Sequence, residues 1–321
     1  MRYTDAGKLS RRLSVICMGS IQLCAMSREE AFALLDSYRE SGGNFLDSAN
    51  VYGKWLPEGK NLADEYLGAW MKSRGCRAEM IVAGKGGHPS LQQFDRSRLS
   101  KEDVEADLDE SLRAMGCGEF DLFYLHRDDP ERPVEEIADY LDGFVRAGKI
   151  RAYGVSNWST GRLSALYEYA ERAGKALPAA NQLLWNCAVA DPAHEQYIGM
   201  QRMEKDTLQF HRDTQMLATA YESQARGYFQ KWAAKGAESL PEEQKLSYPP
   251  EKNEGRFQRI CRLAEETGSS VSGIVLGYLF QHGFPSCAVV GSRTPAQLAD
   301  TLKAGDVSLT KEQIAFLEGD A

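Results

Sequence analysis

FDLFYLHRDDPERPVEEIADYLDGFVRAGKIRAYGV, residues 120–155, contains one complete unit of the fold. The apolar run from Phe120 to Leu125 reads as a buried strand. Pro133 to Ala147 carries acids early and Arg146 late, as a helix dipole favours, and Gly148 stops it. Ile150 to Val155 reads as the next strand. Strand, helix and strand at this interval make a crossover unit of a parallel sheet. The same alternation extends in both directions. Further strands are expected at Ser14 to Met18, Asn44 to Asp47, Met80 to Lys85, Ala179 to Leu184, Gln215 to Tyr221 and Ser286 to Val290. With the two quoted runs they total eight, the number that closes a barrel.

Caps mark the helices. Ser27-Arg-Glu-Glu30 is a capping box that opens a helix through Tyr38, ended by Gly42-Gly43; Ser100 with Asp103 is a weaker version before Val104 to Met115. Helices are also expected over Thr160 to Ala173, Gln196 to Phe210, Arg256 to Glu266, Ser272 to Gln281, Pro295 to Lys303 and Lys311 to Leu317, the last behind the box Thr310-Lys-Glu-Gln313. Between Gly227 and Gly255 the pattern lapses into a charged, proline-containing stretch that reads as irregular. The expected architecture is α/β, one (β/α)8 TIM-barrel domain spanning residues 1–321.

With 43% hydrophobic residues in 321, the chain can bury a core, so disorder is a poor reading. Its net charge of −8 repels phosphate backbones and anionic lipid, which argues against nucleic-acid and membrane-surface roles. The longest apolar runs, such as Gly273 to Phe280, fall short of the roughly 20 residues a bilayer requires, and no basic stretch followed by an apolar one opens the chain. A cytosolic location is expected. Seven cysteines stand singly, without C-x-x-C or zinc-finger spacing, and read as reduced, buried thiols. The five histidines are too dispersed for a metal site, and no metal is expected. Phosphate-loop, Rossmann and serine-hydrolase motifs are missing from the sequence.

In such a barrel, side chains at the C-terminal ends of strands converge on one pocket. The second run ends in Asp47-Ser-Ala-Asn-Val-Tyr52-Gly53, the third in Lys85 and the fourth in His126. A phenol, an ammonium, a carboxylate and an imidazole suit carbonyl reduction. Tyr52 would deliver the proton, and the Lys85 ammonium would bring its pKa down from the usual ~10. Asp47 would hold Lys85 charged, and His126 would hydrogen-bond the substrate oxygen. Singly, Asp47 also reads as a turn cap, Tyr52 as a wall residue and His126 as a structural histidine; it is their joint placement that points to chemistry. Trp55 and Trp158 are candidate substrate-pocket residues near its mouth.

Asp47 to Gly53 resembles the D-x-A-x-x-Y-G motif of the aldo-keto reductase family, and Gly148-Lys-Ile-Arg-Ala-Tyr-Gly154-Val-Ser156-Asn157 resembles its G-K-I-R-x-x-G-V-S-N segment. The similarity runs from about Leu13 to Leu302. It implies a (β/α)8 barrel, a small-molecule carbonyl or alcohol as substrate, and NADP(H) as the favoured cofactor, with NAD(H) open. Ser156, Asn157 and Gln182 would hold the nicotinamide carboxamide and Tyr221 would stack under its ring. Gly19, Ser20 and Ile21 would approach the cofactor by backbone. Ala225, Arg226 and Gly227 match the family's S-P-L-A-x-G loop, without its proline. Gly291, Ser292, Arg293 and Gln297 resemble the phosphate- and adenine-binding segment; Gln297 stands where many members have arginine, which leaves Arg293 as the phosphate fork. Gly84 occupies a position that commonly carries a side chain. The alternative from another class is a regulatory subunit that binds the dinucleotide as a sensor, with little turnover.

Overall fold

The computed structural model describes residues 1–6, 9, 11–191, 193–194 and 199–319. Among them, eight parallel strands close a barrel: β1 Ile16–Gly19, β2 Phe45–Asp47, β3 Ile81–Gly86, β4 Leu122–Leu125, β5 Tyr153–Ser156, β6 Ala180–Leu184, β7 Leu217–Tyr221 and β8 Ser286–Val290. Each pairs with the next, and β8 pairs back to β1. The register sets Asp47 beside Gly19 on one side and Ala83 on the other, and Ser156 beside Gln182. Polar residues that end successive strands therefore reach the same rim.

Several strands begin two or three residues later than their apolar runs; the run starts Phe120 and Ile150 pair only through an isolated parallel bridge. Ser14 belongs instead to an unanticipated antiparallel hairpin, Tyr3–Asp5 with Arg12–Ser14. It closes the opposite end of the barrel. Ala6, Leu9 and Leu13 pack there with the interior residues Cys17, Phe45, Ile81, Leu122, Tyr124, Ala180 and Cys287. That floor is apolar and filled, which leaves the C-terminal mouth for polar chemistry.

The surrounding helices are α1 Arg28–Glu40, α2 Leu62–Arg74, α3 Lys101–Met115, α4 Val134–Arg146, α5 Thr160–Arg172, α6 Lys205–Thr214, α7 Tyr228–Lys235, α8 Glu242–Ser247, α9 Pro250–Thr267, α10 Val271–Gly277, α11 Pro295–Ala304 and α12 Lys311–Glu318. Both expected capping boxes form. Three expectations are corrected. The first is an additional helix, α2, which Asn61 caps and Gly75 ends in the left-handed region. Gly68 interrupts its pattern for a tertiary reason, since a Cβ there would stand 2.2 Å from the Met115 carbonyl oxygen of α3.

The helix expected from Gln196 is the second correction. Residues 196–198 lie outside the described residues, 199–204 are not helical, and α6 runs on to Thr214. The third concerns 227–255, which is largely helical. Pro241 and Pro249 stand at the N-caps of α8 and α9, where a missing N–H is harmless. Trp232 of α7 stacks on Phe257 of α9, ring centroids 4.6 Å apart, and Tyr228 packs against Tyr248.

Candidate active site

The mouth of the barrel brings together the residues from the β2, β3 and β4 ends. Lys85, fully buried, donates from Nζ to Asp47 Oδ2 at 2.6 Å and to the Ser48 carbonyl oxygen at 2.9 Å. The ammonium lies 5.1 Å from the centroid of the half-buried Tyr52 ring. Tyr52 and His126 meet edge to face, centroids 6.0 Å apart. Asp47 Oδ1 accepts from Gln182 Nε2 at 2.8 Å, which ties this group to the β6 end.

A second layer stands behind it. Ser20 donates to Ser48 Oγ at 3.0 Å, and Ser48 donates to Asp64 Oδ1 at 2.5 Å. Asp64, on α2, also accepts from Asn61. Burial pushes the Asp64 carboxyl upward, against the hydrogen bonds from Ser48, Ser111 and Asn61 that lower it. Helix α2 thus buttresses the segment joining Asp47 to Tyr52.

Burial also pushes the Tyr52 phenol above its usual value, aided by Asp47; Lys85 and Arg127 pull it down without overcoming burial. The expectation that Lys85 leaves this pKa lowered is therefore corrected in its net direction. Burial works against the Lys85 ammonium, but Asp47 and Tyr52 outweigh it and hold its pKa above the usual lysine value. His126 falls well below the ordinary histidine range through burial, then through the charges of Lys85, His88 and Arg127. Among the described residues its buried Nδ1 has no hydrogen-bond partner.

The adjoining sector is built from the ends of β5, β6 and β7. Asn157, with φ of +64°, donates to Ser156 Oγ at 3.1 Å and to the His126 carbonyl oxygen at 3.3 Å. Its Oδ1 accepts from Tyr221 O–H at 2.7 Å, which tethers that ring across the mouth. Gln182 gives one amide N–H to Asp47 and keeps its carbonyl oxygen as an acceptor.

At the β1 and β8 ends, Ile21 is exposed at the start of a short 3₁₀ turn, whereas Ser20 is buried and its backbone N–H donates to the Asp47 carbonyl oxygen. A Cβ on Gly19 would stand 2.9 Å from Val289 Cγ1 and 3.2 Å from the Val290 carbonyl oxygen, so strand packing already requires glycine there. Gln22 lies against Gly291 and accepts from Arg293 Nε at 3.3 Å. Gln297 Oε1 accepts from the Arg293 backbone N–H at 3.0 Å, and Ser292 is buried.

Ala225, Arg226 and Gly227 all have positive φ. Their loop, lacking the proline, is anchored otherwise: Gln244 donates to the carbonyl oxygens of Ala225 and Arg226, and Ser223 to that of Val289. The Arg226 guanidinium is directed to Glu243 and Ser247 of α8. Trp55 is exposed at the mouth, 6.5 Å from Tyr52. Trp158 is corrected as a pocket residue: it is 2% exposed, its indole N–H donates to the Arg127 carbonyl oxygen at 3.1 Å, and Arg162 covers its ring. Gly84 is explained by Phe120, whose ring would lie 3.0 Å from a Cβ. A groove between α2 and α3, lined by Gly68, Met71, Met115 and Cys117, lies on the barrel flank and touches none of these groups.

The family model described as the Aldo/keto reductase family matches residues 15–319. The chain belongs to the aldo/keto reductase family. It is therefore an oxidoreductase of carbonyl chemistry. This aldo/keto reductase is 29% identical over 311 residues to the probable aryl-alcohol dehydrogenase AAD4 of Saccharomyces cerevisiae, covering 92% of this chain and 88% of the yeast protein. It is 29% identical over 324 residues to the aryl-alcohol dehydrogenase [NADP(+)] of Phanerodontia chrysosporium, covering 91% and 76%. The solved structure of the thermostable aldo-keto reductase Tm1743 with the inhibitor epalrestat superposes over 100% of both chains, with a TM-score of 0.74 and 20% identity. At that identity the likeness concerns the fold. Gln22, Asp64, His88 and Arg127 also border these groups, and of the four only Arg127 carries a sequence signal, its place at a strand end.

Proposed function

We propose that this chain reduces an aldehyde or ketone to the alcohol, or runs the reverse, with Tyr52 as proton donor and NADP(H), in preference to NAD(H), as redox partner. The observation that carries the reading is the buried Lys85–Asp47 pair at 2.6 Å, with the ammonium facing the Tyr52 ring. A buried lysine held charged beside a phenol has a chemical use, since structure alone would be served as well by apolar residues.

The raised pKa of Tyr52 keeps its proton in place at neutral pH, as an acid requires. As that proton passes to the carbonyl oxygen, Lys85 stabilises the phenolate left behind, and Asp47 keeps Lys85 charged and positioned. His126, held neutral, donates one hydrogen bond to the same oxygen. The chemistry a nicotinamide dinucleotide would supply at this site is hydride for the carbonyl carbon. Ser156, Asn157 and the open carbonyl oxygen of Gln182 suit its carboxamide, and Tyr221, tethered by its O–H, is ready to stack beneath its ring. Arg293, exposed at the start of α11, would take a 2′-phosphate; the NADP(+) in the name of the Phanerodontia chrysosporium relative supports that preference.

The test is Tyr52→Phe with a generic aldehyde and NADPH, followed by loss of nicotinamide absorbance. Activity should fall by about 10²- to 10⁴-fold, the usual share of general acid catalysis, while cofactor binding measured by fluorescence quenching stays near the wild-type value. Full activity in the variant would end the assignment.

A further inference from the structure

Arg127 directly follows His126 at the end of β4 and is half-buried. Among the described residues its guanidinium makes no hydrogen bond or ion pair, although its carbonyl oxygen is taken by Trp158. The acids beside it are engaged elsewhere. Asp128 accepts from Arg162 at 3.1 Å, and Asp129 faces Arg132 at 3.9 Å. Arg98, near the same side of the mouth, is held by Asp107 at 2.7 Å. With 46 acidic residues against 38 basic ones, this cation is not unpaired for want of carboxylates.

Its surroundings are those of the reacting groups. The charge of Arg127 is felt at Tyr52, His126 and His88. His88 lies edge-on to His126 at 4.8 Å and 6.1 Å from Phe94; its Nδ1 faces the Pro89 carbonyl oxygen at 2.8 Å, so Nδ1 carries the proton. A chain of rings runs from Trp55 through Tyr52, His126 and His88 to Phe94, with Asp47 acting on Tyr52 and Asp107 on His88. Trp55 and Phe94, at its ends, are 49% and 65% exposed. A half-buried guanidinium with no partner among the described residues, one residue beyond His126, whose own buried Nδ1 is also unpaired among them, is a site for a planar oxyanion.

We propose that Arg127 is a specificity-determining residue that selects carbonyl substrates bearing an oxyanion, a carboxylate or a phosphate, and orients them with the carbonyl toward Tyr52. The proposal rests on the carbonyl-reducing reading of the site. In it Arg127 binds the part of the substrate that does not react, and no bond to it forms or breaks.

The experiment compares charged and neutral carbonyls of one shape: 2-, 3- and 4-formylbenzoate against benzaldehyde, and D-glyceraldehyde 3-phosphate against D-glyceraldehyde. At least one anion should exceed its neutral parent in kcat/KM by about 10-fold or more, mainly through KM, the range a charge-assisted hydrogen bond supplies. Arg127→Gln should bring that ratio to about one, and Arg127→Lys should restore part of it, having the charge without the fork. Any effect of the variant on Tyr52 acts on both partners and cancels in the ratio. A preference confined to the formylbenzoates assigns a carboxylate, and one confined to the glyceraldehyde pair assigns a phosphate.

Equal kcat/KM within every pair, or a preference that survives Arg127→Gln, overturns the proposal and leaves the carbonyl-reducing reading standing. Calorimetric binding of 4-formylbenzoate and of glyceraldehyde 3-phosphate, without any dinucleotide, gives a readout independent of turnover. If no carbonyl turns over, the reading of the site fails, and this arm decides alone. Anion binding weakened about 10-fold or more by Arg127→Gln supports the anion site, and binding that is missing or unchanged overturns it.

Discussion

Asp47→Asn tests the electrostatic centre of the site with almost no change of shape. The wild-type pair is sealed, with Lys85 and Asp47 side chains 0% and 3% exposed. Removing one charge of such a pair costs about 3–5 kcal/mol, and because the Ser48 carbonyl oxygen still accepts from Lys85 the lower end, about 3 kcal/mol, applies. With an unfolding entropy near 2.1 cal/mol/K per residue over 321 residues, that corresponds to a drop in Tm of about 4–5 °C.

The pH dependence distinguishes this cause from loss of packing. In the wild type Lys85 titrates above its unfolded value, so its stabilisation is fully present below about pH 10.5 and is lost only at higher pH. Without Asp47 the largest influence opposing burial is gone, and the folded pKa of Lys85 falls below the unfolded one. The variant is then penalised most below that folded pKa, and it recovers as pH rises toward 10 through the range where the unfolded chain binds the extra proton. Differential scanning fluorimetry from pH 6 to pH 9.5 should therefore show a gap between wild type and variant that narrows with pH. A gap under about 1 °C, or one that stays constant across the range, would refute the claim that Asp47 holds Lys85 charged.

Two further outcomes follow from the same geometry. Arg293→Ala should weaken NADPH by about 10-fold, as loss of a charged hydrogen bond does, while NADH changes little; equal loss for both in a fluorescence titration would remove Arg293 as the phosphate fork. His126, and His211 pushed down to about 4 by burial, are neutral in the folded protein. Their ring signals should not titrate between pH 6 and pH 8 in nitrogen-15 NMR, and stability should fall as pH drops below about 6.5, where the unfolded chain gains protons that the folded one refuses. A titration of His126 near pH 6.5 would contradict the site described.

The apolar runs, their spacing and the caps were enough to predict a barrel of eight strands, because burial on both faces of a parallel sheet leaves a continuous hydrophobic signature in each strand. Asp47, Lys85 and His126 were legible for the same reason: each is a polar residue at the end of such a run. Other features exist only through partners distant in sequence. Gly68 weakened the signal of α2, yet it is required by a carbonyl oxygen on α3. The prolines of 227–255 suggested irregular chain, but they sit where helices begin. Trp158 was aromatic in the right place and is nonetheless packed under Arg162.

Local sequence thus determined which elements form and which of their ends are polar, since periodicity and capping are properties of neighbouring residues. Only the tertiary structure decided which polar groups are satisfied. It paired Lys85 with Asp47, set burial above charge in fixing the Tyr52 phenol, and left Arg127 without an acid among the described residues. Hydrogen bonds and desolvation depend on what lies within a few ångströms, and at this rim those neighbours come from different strands of the barrel.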